Sequence, residues 1–296
     1  MYFINKYRSG MPFLKKVLED TRYRIRWIRN YYRNGKKIRT VLFYPHFPSK
    51  STVLYKIFKG LHYNITNNPD KLRSLTIYWE DVTIRNRNAV IEKISKSEKV
   101  INIKSLDISK STVDKYFTEV FGYSSLVDPA NYSGLMVQKS EINASHDGKI
   151  VQGPVHRKQG YVYQKLINNQ FDSNFVADIR IPFINGAIPM VFIKYKTISS
   201  RFGVFRKWHH KLKNVEVHPP ESSLSSEEIL KLKEFCHRFK LDYGELDVLR
   251  DRDDGKIYIV DVNNTPTGPP YMDRKKQEEA IRIMTRVFRK DFLERN

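Results

Sequence analysis

The chain has 296 residues, 40% of them hydrophobic, which is enough to bury a sizeable core and to build two or three compact subdomains. Lys and Arg number 53 against 32 Asp and Glu, a formal net charge of +21 that favours polyanionic partners (nucleic acid, an anionic membrane surface or phosphorylated substrates) without choosing among them. The single cysteine, Cys236, excludes an intramolecular disulfide framework and a cysteine-based zinc site. It fits a reducing compartment, so a cytoplasmic location is expected. No run approaches the roughly eighteen apolar residues that a bilayer span needs, and the first residues lack the apolar stretch of a secretory signal peptide.

From Pro12 to Arg33 apolar residues recur at helical spacing (Leu14, Leu18, Ile25, Ile28, Tyr32), with Arg22, Arg24, Arg26, Arg29 and Arg33 around them and Asn34-Gly35 as a stop. Two readings of this basic amphipathic helix stay open: docking on the rest of the protein with a solvated charged face, or contact with an anionic membrane or another polyanion. The second reading would place the chain at the inner face of the membrane. Alternating short units follow: strand Ile38–Tyr44, helix Ser51 to about Leu61, strand Leu75–Trp79, a helix near Asn88–Ile94 and strand Val100–Ile103. Such alternation predicts a small α/β domain with a parallel sheet. The turn from Tyr44 to Ser51 ends in Lys50-Ser51 but holds no glycine, so its backbone cannot wrap a phosphate closely.

Beyond residue 105 the texture changes to a helix, Ser111–Phe121, then strands and hairpins with turn signals at Asp147-Gly148, Asn185-Gly186 and Asp254-Gly255. The helical segments Ser226–Phe239 and Arg274 to about Leu293 complete an α+β body. The division expected is a basic helix over 1–36, a small α/β domain over 37–104 and an α+β catalytic body over 105–296.

The most informative stretch runs from Gly244 to Pro266. Strands Glu245–Arg250 and Lys256–Asn263 flank a polar turn and read as an antiparallel hairpin. Period-two alternation puts Glu245, Asp247 and Leu249 on one face and sets Tyr258, Val260 and Val262 against Ile257, Ile259, Asp261 and Asn263. If Asp247 faces Asp261 and Asn263, three oxygen donors converge, the donor set that magnesium prefers. A carboxylate bracketed by Ile259, Val260 and Val262 needs a compensating cation or hydrogen-bond donors. The acids at the tip, Asp251, Asp253 and Asp254, are expected to be solvated. Trp208-His209-His210 does not read as a metal site, because adjacent histidines do not face one ligand on regular structure.

A strand bearing Asp, then a hairpin partner reading acid-x-Asn followed by Pro, resembles the metal-binding end of the ATP-grasp superfamily of carboxylate-amine ligases, such as D-alanine ligases and glutathione synthetases. Upstream segments resemble the remaining parts in the expected order, over roughly residues 104 to 270. Ile108-Ser109-Lys110-Ser111 is similar to the site of the first nucleotide-binding lysine, Lys110, and Leu135–Lys139 to the strand that delivers the second, Lys139. Ser140–Gly148 would be the flap over the triphosphate. Tyr161–Ile167 resembles the hinge strand that pairs with adenine (Gln164, Lys165, Leu166, Ile167), with Asp172 at the ribose. The segments Asp178–Ile181 and Val191–Lys194 are similar to strands carrying a phosphate-directed Arg180 and Lys194.

The resemblance implies an ATP-grasp fold whose nucleotide-binding subdomain spans about 105–168 and metal-binding subdomain about 169–296. It also implies ATP and Mg2+ as cofactors, the metal being held by Asp247, Asp261 and Asn263. Lys110 and Lys139 would offset phosphate charge, and Arg180 and Lys194 would stabilise phosphoryl transfer to a substrate carboxylate, giving an acyl phosphate for capture by an amine. Small-molecule, peptide or sugar-linked carboxylates and amines, including a surface polysaccharide precursor, are the expected substrates. A kinase acting on a hydroxyl and a non-catalytic polyanion-binding protein are the alternatives; nucleic acid is not the expected partner. The chain departs from the family pattern at Asp261, where Glu is common, at the flap, where Asn143, Ser145 and His146 replace glycines, and at Gln164, where an acid is frequent.

Overall fold

A computed structural model of the chain describes residues 13–145, 147–200, 212–270 and 272–294. The chain divides into two compact units, Met1–Glu80 with Asn86–Ile103, and Asp81–Arg85 with Lys104–Asn296.

The first unit holds helix α1 (Phe13–Arg33), strand β1 (Thr40–Pro45), helix α2 (Val53–Gly60), strands β2 (Asn64–Thr66) and β3 (Leu75–Trp79), helix α3 (Ala89–Ser95) and strand β4 (Val100–Ile101). The four strands form a parallel sheet in the order β2-β1-β3-β4. Its central strand is a continuous apolar run, as a strand buried on both faces requires: Val41, Leu42 and Phe43 are fully buried with Leu54, Ile57 and Phe58 of α2. Helix α1 meets this unit through polar side chains. Arg26 Nη1 donates to Tyr55 Oη (3.1 Å), buried Asn30 Nδ2 to Asn64 Oδ1 (3.2 Å), and Asn34 Nδ2 to the His62 carbonyl (2.9 Å). The spacing of four puts all three on one helix face, and it is not the face that carries Leu18, Ile25 and Ile28.

The second unit comprises helix α4 (Lys110–Phe121), strands β5 (Leu135–Ser140), β6 (Lys149–Gln152), β7 (Tyr161–Lys165), β8 (Phe175–Ile184), β9 (Val191–Thr197) and β10 (Leu212–His218), helix α5 (Ser226–Arg238), strands β11 (Tyr243–Arg250) and β12 (Ile257–Asn263), and helix α6 (Arg274–Phe288), which ends in a π-helical turn, Arg289–Leu293. A three-stranded antiparallel sheet runs β6-β5-β7 and a five-stranded one β10-β9-β8-β11-β12. Leu246 and Val248 pack into one core with Val113 and Phe117 of α4 and Leu232, Phe235 and Cys236 of α5. Their neighbours Glu245, Asp247 and Leu249 therefore lie on the opposite face of the sheet. Helix α5 begins with a reciprocal capping box between Ser225 and Glu228.

Hairpin β11–β12 contains a bulge. Asp247 pairs with Asp261 and Val248 with Ile259, so Val260 is the extra residue. Residues paired directly across two strands share a face. Tyr258, opposite Leu249, thus lies on the same side as Asp261, whereas strict alternation set them on opposite sides. A second constraint sits at Gly244, where an added Cβ would lie 2.6 Å from the Asn263 carbonyl oxygen. Gly244→Ala is expected to force the two strands apart and to cost about 1–3 kcal/mol, read as a fall in melting temperature of roughly 3–10 °C. An unchanged melting temperature would show that the strands can give way there.

Candidate active site

In the second unit a cavity of about 330 Å³ opens on the face of the five-stranded sheet opposite the α4–α5 core. Among the sequence-derived candidates, Lys110, Lys139, Gln164, Lys165, Ile167, Arg180, Lys194, Asp247, Asp261 and Asn263 line it; Leu166 and Asp172 do not. Strand register explains the convergence. Arg180 on β8 pairs with Asp247 on β11, which pairs with Asp261 on β12; one step along the same hairpin, Glu245 pairs with Asn263. Asp178 pairs with Lys194 on β9. These side chains share one face of four adjacent strands.

Asp247 is the most heavily engaged of the carboxylates that line the cavity. Arg180 donates Nε to Oδ1 and Nη2 to Oδ2, each at 3.0 Å, Lys194 Nζ donates to Oδ1 at 3.1 Å, and Asn263 Nδ2 reaches Oδ2 at 3.4 Å. Burial disfavours its charged form, but the Arg180 guanidinium and the Lys194 ammonium outweigh burial and hold the carboxyl well below the usual carboxylate range. Arg180 also points Nη1 at Glu245 Oε2, 3.4 Å away. Its guanidinium faces carboxylates within the cavity, because the β8–β11 register sets it directly opposite Asp247. Burial likewise pushes the Lys194 ammonium down from its ordinary value, with Asp247 opposing the shift.

Asp261 is placed differently. Its Oδ1 is buried without a hydrogen bond, and Lys110 Nζ stands 3.6 Å from it. Lys139 makes no hydrogen bond or ion pair among the described residues, and burial pushes its ammonium down, offset in part by Asp261. Two lysines and one unsatisfied carboxylate oxygen therefore face the same cavity. Magnesium uses one or two carboxylates and keeps its other positions for water and phosphate oxygens, so an unclaimed Asp261 oxygen beside Asn263 and Asp247 fits it. Among the described residues no three or more His, Cys, Asp and Glu side chains cluster as a metal cage.

Residues 141–145, which follow β5, are fastened across the cavity. Lys110 Nζ donates to the Ile142 carbonyl (3.2 Å), and the Glu141 carboxylate accepts from the backbone N–H and the hydroxyl of Ser111. Asn143 donates Nδ2 to the Val262 carbonyl and to Asn263 Oδ1, both at 3.2 Å. Sequence reasoning gave Glu141 no role of its own and read Asn143 only as replacing a flap glycine, because partners 30 residues away, at Ser111, and about 120 away, at Val262 and Asn263, leave no local pattern. Lys196 is a further lining residue that it missed, although its position two along from Lys194 on β9 was a usable signal. Lys196 pairs with Asp178, which also accepts from Asn169 Nδ2 (2.8 Å). His146 and the segment Trp208-His209-His210 lie outside the described residues.

At the end of β7, Lys165 and Asn168 are held by the tip of hairpin β11–β12. Lys165 Nζ contacts Asp251 Oδ2 (2.9 Å) and the Tyr258 hydroxyl (2.8 Å), and Asn168 Nδ2 donates to Asp253 Oδ1 (2.8 Å). Asp253 and Asp254 are exposed, as expected of a turn, whereas Asp251 is buried against Lys165. Gln164 is buried with Nε2 on Ser125 Oγ (3.0 Å). Leu166 spends its backbone N–H on the Leu135 carbonyl (3.2 Å). Asp172 departs from its expected place at a ribose: it is exposed and outside the cavity, and its Oδ1 accepts the backbone N–H groups of Asn174 (2.8 Å) and Phe175 (2.9 Å), capping a turn.

No protein-family model matches the chain, and no curated protein matches its sequence. Solved structures do resemble it. The ATP-grasp ligase PsnB complexed with a minimal precursor shares 11% identity, covering 85% of this chain and 99% of its own, with a TM-score of 0.54. D-alanine–D-alanine ligase from Bacillus anthracis complexed with ATP shares 14% identity over 87% and 96% of the two chains, with a TM-score of 0.53. A RimK-domain ATP-grasp protein from Sphaerobacter thermophilus DSM 20745 shares 10% identity over 86% and 100%, with a TM-score of 0.50. At such identities the likeness speaks for architecture alone: the chain has the fold of these solved ATP-grasp ligases.

Proposed function

We propose that the chain is an ATP- and magnesium-dependent ligase that activates a substrate carboxylate as an acyl phosphate and joins it to an amine. The observation that carries this reading is the pairing, in one cavity, of Lys139, a half-buried lysine whose ammonium has no hydrogen-bonding or ion-pair partner among the described residues, with the unsatisfied oxygen of Asp261. The first suits a phosphate and the second the cation that accompanies it. ATP with magnesium supplies the activated phosphoryl group. Lys110 and Lys139 are the residues to offset phosphate charge, with Lys194 and Lys196 close by on β9. Arg180 is assigned the positioning of Asp247 rather than direct phosphate contact. Asp261, Asn263 and Asp247 would hold the metal. Segment 141–148 would shield the acyl phosphate from water, a part consistent with its attachments to α4 and β12.

Neighbours of this fold have been solved with ATP, in the D-alanine ligase, and with a precursor, magnesium and ADP, in PsnB, which supports the cofactors assigned here. For the substrate we favour a peptide or sugar-linked carboxylate or amine. The test is ADP release from ATP and magnesium across a panel of acids and amines, with hydroxylamine as a trap. A hydroxamate formed in step with ADP is expected. ADP release with phosphorylation of a hydroxyl and no hydroxamate would reassign the chain as a kinase. Tight, salt-sensitive RNA binding without any ADP release would leave only a polyanion-binding protein.

A further inference from the structure

Helix α1 turns the wrong face outward for a helix that serves only to cover a core. The side that meets its own unit carries Arg26, Asn30 and Asn34, through the hydrogen bonds described above. On the opposite side Val17, Leu18, Ile25, Ile28 and Tyr32 form a stripe along most of the helix, each of them exposed and Ile25 60% so. A core-facing amphipathic helix shows the reverse arrangement. Arg22 and Arg29 flank the stripe on one side and Arg24 on the other, all exposed, while Arg33 Nη1 turns to His62 Nε2 of its own unit, 3.5 Å away. From Thr21 to Arg33 the sequence holds no acidic residue. Trp27 and Tyr31 stack with ring centroids 5.9 Å apart, adding aromatic surface at the margin.

We propose that this face of α1 docks on an anionic membrane surface, the apolar stripe entering the boundary between headgroups and acyl chains while the arginines reach lipid phosphates. Stripe and flanking cations point the same way, which is the arrangement of an interfacial helix. The long arginine stems run alongside the apolar residues and carry their charges outward. A second copy of this chain is a poorer occupant, because pairing two stripes sets arginines against arginines, with Glu19 and Asp20 the only acids of the helix, on a chain of net charge +21. Nucleic acid would meet the arginines but has no complement for Leu18, Ile25 and Ile28. Among the described residues no helix is long and apolar enough to cross a bilayer, so the contact is peripheral. None of the residues involved belongs to the nucleotide cavity, and the inference stands apart from the ligase reading.

The test is co-sedimentation of the full chain with vesicles of phosphatidylglycerol and phosphatidylcholine in equal parts, set against phosphatidylcholine alone. Binding to the anionic vesicles only, weakening with added salt, is expected. Ile25→Gln with Ile28→Gln, and separately Arg22→Gln with Arg29→Gln, should each weaken it about tenfold without moving the melting temperature. Hydrogen exchange of the unaltered protein supplies a readout that needs no variant: amides of residues 17–33 should gain protection when anionic vesicles are added. Equal binding to neutral vesicles, variants that bind as the parent does, or no added protection in α1 would each overturn the proposal. A dimer that the isoleucine variants dissociate would do so as well, handing the stripe to a second copy.

Discussion

Asp261→Asn is expected to lower ATP turnover by about 100- to 1000-fold while the protein stays folded. The amide keeps the shape and one oxygen of the carboxylate but removes its charge, which is what a divalent ion bridging phosphates requires. Among the described residues that charge faces only Lys110 and Lys139 within the fold. Asp261 Oδ1 accepts no hydrogen bond, and its contact with Lys110 is a loose 3.6 Å from a side chain that is itself one-quarter exposed. Lys110 retains the Ile142 carbonyl as a partner at 3.2 Å. Losing such a contact is worth up to about 1 kcal/mol, or roughly 2–4 °C in melting temperature. Asp261→Glu restores the longer acid that the ATP-grasp resemblance leads one to expect, and it should keep a large part of the activity. ADP release and thermal unfolding, followed side by side on the same preparations, check both variants. Turnover by Asp261→Asn at the parent rate would remove the metal assignment, and with it the reading of the cavity as a magnesium–nucleotide site.

Period-two alternation was enough to place Asp261 and Asn263 on one face of β12, because that relation depends on two residues of a single strand. Relations between strands were harder. Asp247 opposite Asp261 depends on register, and the bulge at Val260 moved Tyr258 to the side that simple alternation denied it. The partnership of Arg180 with Asp247 joins strands 67 residues apart, and no local signal encodes it. For the same reason Asp251 read as solvated when in fact it is buried and Lys165 reaches it from another sheet. Asp172 shows the opposite failing: a residue in the right place in the chain for a family role, whose own turn takes its carboxylate. In α1 the periodicity revealed a stripe, but periodicity is silent on which side of a helix the protein covers. Three polar residues, Arg26, Asn30 and Asn34, decided that, and each looks unremarkable in sequence.

Asp247→Ala separates the two acids of the hairpin, for it should damage stability as well as turnover. Its carboxylate neutralises Arg180, bound through two hydrogen bonds, and the nearly buried Lys194; without it both cations remain on the sheet face with only the more distant Glu245 and Asp178 to balance them. Breaking a pair of this kind costs several kcal/mol, and with Arg180 and Asp247 each about one-fifth exposed we expect about 3 kcal/mol, a fall in melting temperature of roughly 6–12 °C. The sign of the pH dependence follows from the depressed acidity of Asp247. In the unfolded chain an aspartate takes up its proton near pH 3.9, whereas in the folded protein Arg180 and Lys194 keep Asp247 charged to a much lower pH. Below about pH 4 the unfolded state gains a proton that the folded state refuses, so the stabilisation is complete at neutral pH and drains away in acid. The stability gap between parent and Asp247→Ala, measured by denaturant unfolding, should therefore be widest at pH 7 and close progressively below pH 4. Combining Asp247→Leu with Arg180→Met should cost less than the two substitutions summed, since the second removes the cation that the first strands. Strict additivity, or a gap that widens in acid, would mean that Asp247 is not held by these cations, and that Arg180 is left to meet a phosphate directly.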